Sequence, residues 1–188
     1  MRKLAVFNHV SLDGYFVDAN DSMTWAKSDA NDAEWNEFAT ENAKGDSVLV
    51  FGRRTYDMMA SFWPTPMADH HAPVVAKRMN SLPKVVFSRT LNKAAWNNTR
   101  LVRGDMLSEV RKMKGETGPD MVILGSGNLV SQLAQENLID EYQLAVNPII
   151  LGSGRTMFDG IRNPKPLKLT KSRAFANGNV FLCYKPAS

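Results

Sequence analysis

Val50-Phe51-Gly52-Arg53-Arg54-Thr55-Tyr56 is the stretch on which the fold turns. Ser47 and the apolar run Val48-Leu49-Val50-Phe51 before it have the length and composition of a strand buried on both faces. The run stops at Gly52, and Arg54 to Ala60 then reads as a short helix. A helix that begins where a strand ends leaves its first backbone N–H groups without helical partners and turns its positive dipole end outward, which suits a phosphate. Gly52 allows close approach to the backbone. Arg53 and Arg54 bring forked donors, and Thr55 adds a hydroxyl. Taken alone, the same residues also describe an ordinary helix start with solvated arginines.

A second turn repeats the design. Met121-Val122-Ile123-Leu124 reads as a strand, followed by Gly125-Ser126-Gly127-Asn128-Leu129. It is not the dinucleotide fingerprint of the doubly wound fold. Val130 stands where a third glycine would be, and about 20 positions on the chain offers Ala145 rather than an acid. What remains is a phosphate-compatible turn. A third element follows the strand Lys84–Ser88. Serine and arginine at a strand end, here Ser88 and Arg89 ahead of Thr90, can take an extra phosphate such as the adenosine 2′-phosphate of NADP.

Outward from these turns, strand and helix alternate. Leu4 to Val10 reads as a strand, Ser11-Leu12-Asp13-Gly14 as a turn, and Asp18 to Ser22 as a loop. Asp32 to Ala43 places Trp35, Phe38, Ala39 and Asn42 at helical spacing, with capping residues over Ser28–Asn31 and a stop at Gly45. Phe62-Trp63-Pro64-Thr65-Pro66 breaks the preceding helix, and Asp69-His70-His71, between Pro66 and Pro73, reads as loop rather than metal site. Arg100–Val102 is a short strand, Leu107–Lys114 a helix, Leu129–Asn137 a helix with Leu129, Leu133 and Val130 inward, and Glu141–Val146 a strand. Lys168–Phe175 and Asn179–Lys185 form a hairpin around Asn177-Gly178. This order predicts an α/β fold with three layers, in which a mostly parallel central sheet carries helices on both faces and an antiparallel C-terminal hairpin. With 188 residues, 44% of them hydrophobic, the chain is expected to form one domain over 1–188.

Bulk chemistry narrows the functional classes. The net charge is only +4, and the densest basic cluster, Arg111-Lys112-Met113-Lys114, falls in the last turn of a predicted helix, where cations suit the dipole. No basic stripe for nucleic acid is seen, and the small excess of cations fits an anionic small molecule instead. No apolar run reaches the roughly 18 residues of a membrane span, and no secretory leader follows Met1-Arg2-Lys3-Leu4, so a cytoplasmic protein is expected. The one cysteine, Cys183, sits in an apolar strand and reads as a buried thiol. No metal site is expected.

Five motifs occur in one order: Ser11-Leu12-Asp13-Gly14, Gly52-Arg53-Arg54-Thr55-Tyr56, Ser88-Arg89-Thr90, Gly125-Ser126-Gly127-Asn128-Leu129 and Pro148-Ile149-Ile150-Leu151-Gly152-Ser153-Gly154. In that order the chain, from Lys3 to Lys185, resembles the reductase domain of the bifunctional riboflavin-biosynthesis deaminase/reductase, a branch of the dihydrofolate-reductase-like fold. The resemblance implies an eight-stranded sheet, NADPH as cofactor, hydride transfer to a small heterocycle or ribosyl carbonyl or imine, and a homodimer. Carried over residue by residue, Gly52, Arg53, Arg54 and Thr55 match the cofactor-phosphate turn, Ser88 and Arg89 the 2′-phosphate strand end, and Gly125, Ser126, Gly127, Asn128 and Leu129 the pyrophosphate-facing helix start. Ser11, Asp13 and Gly14 match the loop beside the nicotinamide, and Gly152–Gly154 a loop near the pocket mouth.

The chain also departs from that family. The deaminase half is absent, and one cysteine with three histidines cannot build its zinc site. Glu34 and Phe38 have the i, i+4 spacing of the pterin-anchoring carboxylate of dihydrofolate reductases; Glu34 equally reads as a first-turn acid beside the helix dipole. Asp13 and Glu34 are the candidate catalytic carboxylates, and a water serves equally well as proton source. His9, alternating with Phe7 on the first strand, reads as a core histidine or as a residue reaching the nicotinamide pocket. The substrate pocket is expected from loops such as Asn20–Ser28 and Phe62–Pro73. Two other readings stay open: a non-catalytic NADP(H)-binding sensor or partner protein, and a dihydrofolate reductase proper.

Overall fold

A computed structural model describes residues 1–26 and 31–187. In chain order its elements begin with β1 (Leu4–Ser11), β2 (Tyr15–Asp18), α1 (Ala33–Ala43), β3 (Ser47–Gly52) and α2 (Arg53–Phe62). There follow α3 (Pro66–His71), α4 (Pro73–Ser81), β4 (Lys84–Phe87), β5 (Thr99–Val102) and α5 (Met106–Gly115). The chain continues with β6 (Asp120–Leu124), α6 (Gly127–Gln135), β7 (Glu141–Asn147), β8 (Gly154–Thr156), β9 (Leu167–Ala174) and β10 (Val180–Pro186). Eight strands form one sheet in the order β5-β4-β3-β6-β1-β7-β10-β9, and β2 pairs with β8 separately. β1 runs parallel to β7, and β3 to β4 to β5, whereas β10 is antiparallel to both β7 and β9. The mostly parallel sheet with an antiparallel C-terminal hairpin is thus present.

The chain divides into two compact units. The first comprises Met1–Arg2 and Ser28–Val122. Here the Asp32 carboxylate caps α1 by accepting from the Trp35 N–H at 3.0 Å, and Trp35 and Phe38 are its buried residues. Ser28, offered by the sequence as a capping residue, lies outside the described residues. The core is built on β3 and β4, with Val50, Phe51 and Val86 fully buried. Phe51, Tyr56 and Trp96 cluster with ring centroids 6.1–6.4 Å apart. The Tyr56 hydroxyl accepts from the Trp96 N–H at 2.9 Å, which gives the phenol a partner inside the core.

The same unit corrects two local expectations. Where prolines were read as breaks and Asp69-His70-His71 as loop, the chain forms α3 and α4. The Thr65 side chain caps α3, with Pro66 in its first turn, and Pro73 opens α4. Proline is well placed there, because the first helical residue has no N–H partner to lose and needs a φ close to the ring's own value. The expected loop Phe62–Pro73 is therefore largely helical.

The second unit comprises Lys3–Lys27 and Ile123–Ser188. Leu4, Val6 and Val10 from β1, Leu129, Val130 and Leu133 from α6, Ala145 from β7 and Phe181 from β10 make up much of its core. Its small sheet was not foreseen. β2 meets β8 so closely that a Cβ on Gly154 would lie 2.1 Å from the Val17 carbonyl oxygen, and Gly154 has φ +149°, so the pairing requires glycine. Ile149–Leu151, although apolar, forms no strand. Cys183 is buried and free. Among the described residues no helix is long and apolar enough to cross a membrane.

Candidate functional site

The phosphate-type motifs of the first unit meet. β3 and β4 are parallel neighbours whose last residues, Gly52 and Phe87, are register partners. The segments that follow therefore leave the sheet side by side. Arg53 uses this: its Nη1 donates to the Thr90 Oγ1 at 2.6 Å, while its Nε lies 3.4 Å from the Asp57 carboxylate one turn along α2. The Ser88 Oγ accepts from the N–H groups of Thr90 (3.2 Å) and Leu91 (2.9 Å), folding Ser88–Thr90 into a tight turn. Gly52 is the N-cap of α2 and has no side chain to cap it. Arg53, Arg54 and Arg89 are exposed, and Thr55 and Ser88 half-buried. Three exposed guanidinium groups, a hydroxyl turn and a helix start are what a phosphomonoester needs.

The second unit holds the other phosphate-type turn. Gly125 and Ser126 both take the left-handed conformation (φ +66° and +59°), which is uncommon for serine and characteristic of constrained functional turns. Asn8 fixes the turn. Its Oδ1 accepts from the Gly125 N–H at 2.7 Å and its Nδ2 lies 3.4 Å from the Gly125 carbonyl oxygen, so one buried amide grips both polar groups of the glycine. α6 then starts at Gly127 with no side-chain cap. A Cβ on Gly127 would sit 2.5 Å from Cζ of the buried Phe16 ring, so glycine is required here by packing. Asn128 is exposed, and Leu129 is buried. Asn8 escaped the sequence reading. Its one signal is a polar residue between Val6 and Val10 on an otherwise apolar strand face.

The Ser11–Gly14 turn lies in the same unit, closed by the Gly14 N–H donating to the Ser11 carbonyl at 3.0 Å. Asp13 is its hub. The Ser11 hydroxyl donates to Asp13 at 2.6 Å, and the N–H groups of Leu151 (3.1 Å) and Gly152 (2.7 Å) donate to the same carboxylate. Leu12 N–H adds a bond to the Ile149 carbonyl at 2.8 Å. These bonds bring the Ser11–Gly14 loop together with the start of the Gly152–Gly154 loop. The Ser11 hydroxyl, with the Gly152 and Leu151 amides, holds the Asp13 carboxyl below its ordinary pKa of 3.8. An ionised carboxylate occupied in this way is suited to clasping two loops, and would have to give up those bonds before handling a proton.

Glu34 occupies the first turn of α1, half-buried, one turn before the buried Phe38. His9, on β1, faces the side opposite to Asn8, and the Asn147 amide lies 3.3 Å from its Nδ1. Among the described residues no group of histidine, cysteine or acidic side chains could hold a metal.

Comparison with known proteins adds the family. The model of the RibD C-terminal domain matches residues 2–181. YyaP of Bacillus subtilis (strain 168), itself uncharacterised, is 28% identical over 183 residues, covering 97% of this chain and 94% of its own length. Among solved structures, a Shewanella sp. PV-4 protein named for riboflavin biosynthesis superposes with a TM-score of 0.75 at 23% identity, over 99% of both chains. Dihydrofolate reductase from Enterococcus faecalis, complexed with NADP(H), superposes with a TM-score of 0.64 at 14% identity, over 99% of this chain and 97% of that one. The fold is therefore dihydrofolate-reductase-like.

Proposed function

The chain belongs to the RibD C-terminal domain family, and on that footing we propose that it is an NADPH-dependent reductase acting on a small heterocyclic or ribosyl-pyrimidine-type substrate, of the 5-amino-6-(5-phosphoribosylamino)uracil reductase kind. The observation that carries this reading is the bond between Arg53 and Thr90. Two motifs that the sequence offers separately for cofactor phosphate are tied together by a side chain that would serve it.

The residues present fit the cofactor. In the first unit Arg53, Arg54, Thr55, Ser88 and Arg89 would suit the 2′-phosphate, and in the second the start of α6 at Gly125–Leu129 would by itself suit a pyrophosphate. The left-handed Gly125-Ser126 turn leads into α6, whose first N–H groups have no side-chain cap. NADPH, when bound, supplies the hydride. The rest of the protein's work is positional: to fix the substrate's electrophilic carbon in reach and to exclude water from it. Asp13 contributes by holding the Ser11–Gly14 loop in one conformation.

The test is spectrophotometric. NADPH oxidation is followed at saturating cofactor with a panel of pyrimidine, pterin and quinone compounds. Turnover with a member of the panel, faster with NADPH than with NADH, is expected. Tight NADPH binding without turnover across the panel would instead identify a nucleotide-binding sensor and contradict the reductase reading.

A further inference from the structure

The first unit contains a cleft of about 720 Å³. Tyr56, Asp57, Ala60 and Ser61, one face of α2 by their spacing, form one wall. The others are Pro64 and Asp69 and the segment 91–97 that leads from β4 towards β5. Arg53, Ser88 and Arg89 do not line it. The volume falls in the range of sites that take drug-sized ligands, about 300–1,000 Å³. Polar bonds brace the walls. The Asn80 side chain donates to the Trp63 carbonyl at 2.9 Å and accepts from Trp96 Nε1 at 2.7 Å, so it ties the end of α2 to the segment 91–97. The buried Lys84 ammonium donates to the carbonyls of Asn80 and Asn97. A hollow fixed by such bonds needs little ordering when a ligand enters.

Several polar groups of the lining have no use within the protein. Tyr56 is 3% exposed, and its hydroxyl oxygen accepts from the Trp96 N–H, while the hydroxyl hydrogen has no acceptor among the described residues. An unused donor out of water costs free energy, so a buried hydroxyl ordinarily donates as well. Among the described residues the exposed Asp69 carboxylate, Lys93 ammonium and Asn97 side-chain amide also make no hydrogen bond or ion pair. Asp57 is shared with Arg53, whose Nε lies 3.4 Å from it. The cleft therefore offers an unpaired cation, an unpaired anion, a free amide and a buried hydroxyl donor. Pro64, Leu91 and Ala95 add apolar surface between them.

We infer that this cleft is a binding site for a short zwitterionic peptide, two or three residues long, with apolar side chains. Lys93 suits the peptide's carboxylate, and Asp69 with Asp57 suits its ammonium. The Asn97 amide, with a C=O and an NH2, matches the acceptor and donor of a peptide bond, and the Tyr56 hydroxyl hydrogen finds its acceptor in a peptide carbonyl. The apolar residues take the side chains. A free amino acid carries the same two charges but leaves most of the cleft to water. The site binds and does no chemistry, so the inference stands apart from the reductase reading.

The test uses the full chain and the dipeptide Leu-Leu as probe. In 1H–15N spectra the Trp96 indole N–H and the Asn97 side-chain NH2 are expected to shift, with a Kd below about 1 mM, and free leucine to bind more weakly. N-acetyl-Leu-Leu and Leu-Leu amide each lack one terminal charge and are expected to bind about threefold more weakly or worse. Asp69→Asn should shrink the difference between Leu-Leu and its acetylated form, and Lys93→Gln the difference between Leu-Leu and its amide, as double-mutant logic requires of interacting pairs. Both residues are exposed, and melting curves confirm that the variants fold. Absence of shifts at about 10 mM Leu-Leu, or binding indifferent to the terminal charges, overturns the proposal. Displacement of the dipeptide by NADPH also overturns it, because the cleft would then be part of the cofactor site. None of these results touches the reductase reading, which the turnover panel decides.

Discussion

The Arg53 guanidinium donates a 2.6 Å hydrogen bond to the Thr90 hydroxyl, although 37 residues separate the two. The bond exists because Gly52 and Phe87 end parallel strands in register, so whatever follows each strand must leave the sheet together. It places a positive charge over the Ser88–Thr90 turn.

Arg53→Ala is therefore expected to discriminate between cofactors. Loss of a charged hydrogen bond to the 2′-phosphate costs about 2 kcal/mol, or about thirtyfold in Kd for NADPH. NADH has no such phosphate and should lose little. Fluorescence titration of both nucleotides checks this, and equal weakening of the two would count against Arg53 as the 2′-phosphate reader.

Asn8→Leu should loosen the Gly125-Ser126 turn. Asn8 is 3% exposed, and removing its amide leaves the buried Gly125 N–H without its 2.7 Å acceptor. An orphaned buried backbone donor costs about 1–3 kcal/mol, with a lower melting temperature and weaker NADPH binding together. Denaturant melts at matched conditions measure the first effect, and an unchanged midpoint would contradict the role given to Asn8.

Much of the fold is legible in the sequence. Val48 to Phe51 and Met121 to Leu124 announced themselves as strands because burial on both faces demands continuous apolar residues, and Asn177-Gly178 marked the hairpin because that turn needs positive φ. The phosphate-type turns at Gly52 and Gly125 were legible for the same reason, since each strand run ends abruptly at glycine. What escaped depends on contacts distant in sequence. Thr65 and Thr90 look alike in sequence, yet one caps α3 and the other receives Arg53. The hold of Asp13 on the amides of Leu151 and Gly152, 138 and 139 residues away, leaves no local trace. Asn8 and Asn147 were passed over because a lone asparagine in an apolar strand does not say which backbone group it serves.

Asp13→Ala should release the Leu151 and Gly152 amides. In the wild type their hydrogen exchange is expected to be protected at neutral pH, since the carboxyl is ionised and its folded pKa lies below 3.8. The sign follows from that lowering. The contribution is complete above the unfolded value of 3.8 and is lost as the pH falls through the lower folded value. Equal exchange of these two amides in the wild type and Asp13→Ala at pH 7 would show that the clasp does not form.

Lys84 gives a pH prediction of the opposite kind. The residue is 1% exposed, and its ammonium donates to the carbonyls of Asn80 (3.2 Å), Leu82 (2.8 Å) and Asn97 (3.1 Å) and lies 4.5 Å from the Trp96 ring centroid. Burial lowers its pKa from 10.5 to about 8. Between these values the folded chain has released the proton and the unfolded chain has not, so wild-type stability relative to Lys84→Met should rise with pH across that window. The full rise is at most about 3 kcal/mol. Urea melts of both proteins from pH 7 to pH 10.5 measure it, and a flat difference would mean that Lys84 titrates normally.

The central claim, that this chain is built to hold NADPH, is tested most directly by the melting temperature of the wild-type protein with and without the nucleotide. At about one hundred times Kd, a ligand bound only by the folded state adds about 2.7 kcal/mol, which in a protein of this size raises the midpoint by about 5–10 °C. The account predicts that rise with NADPH and a clearly smaller one with NADH at the same concentration. An unchanged midpoint at saturating NADPH would contradict it.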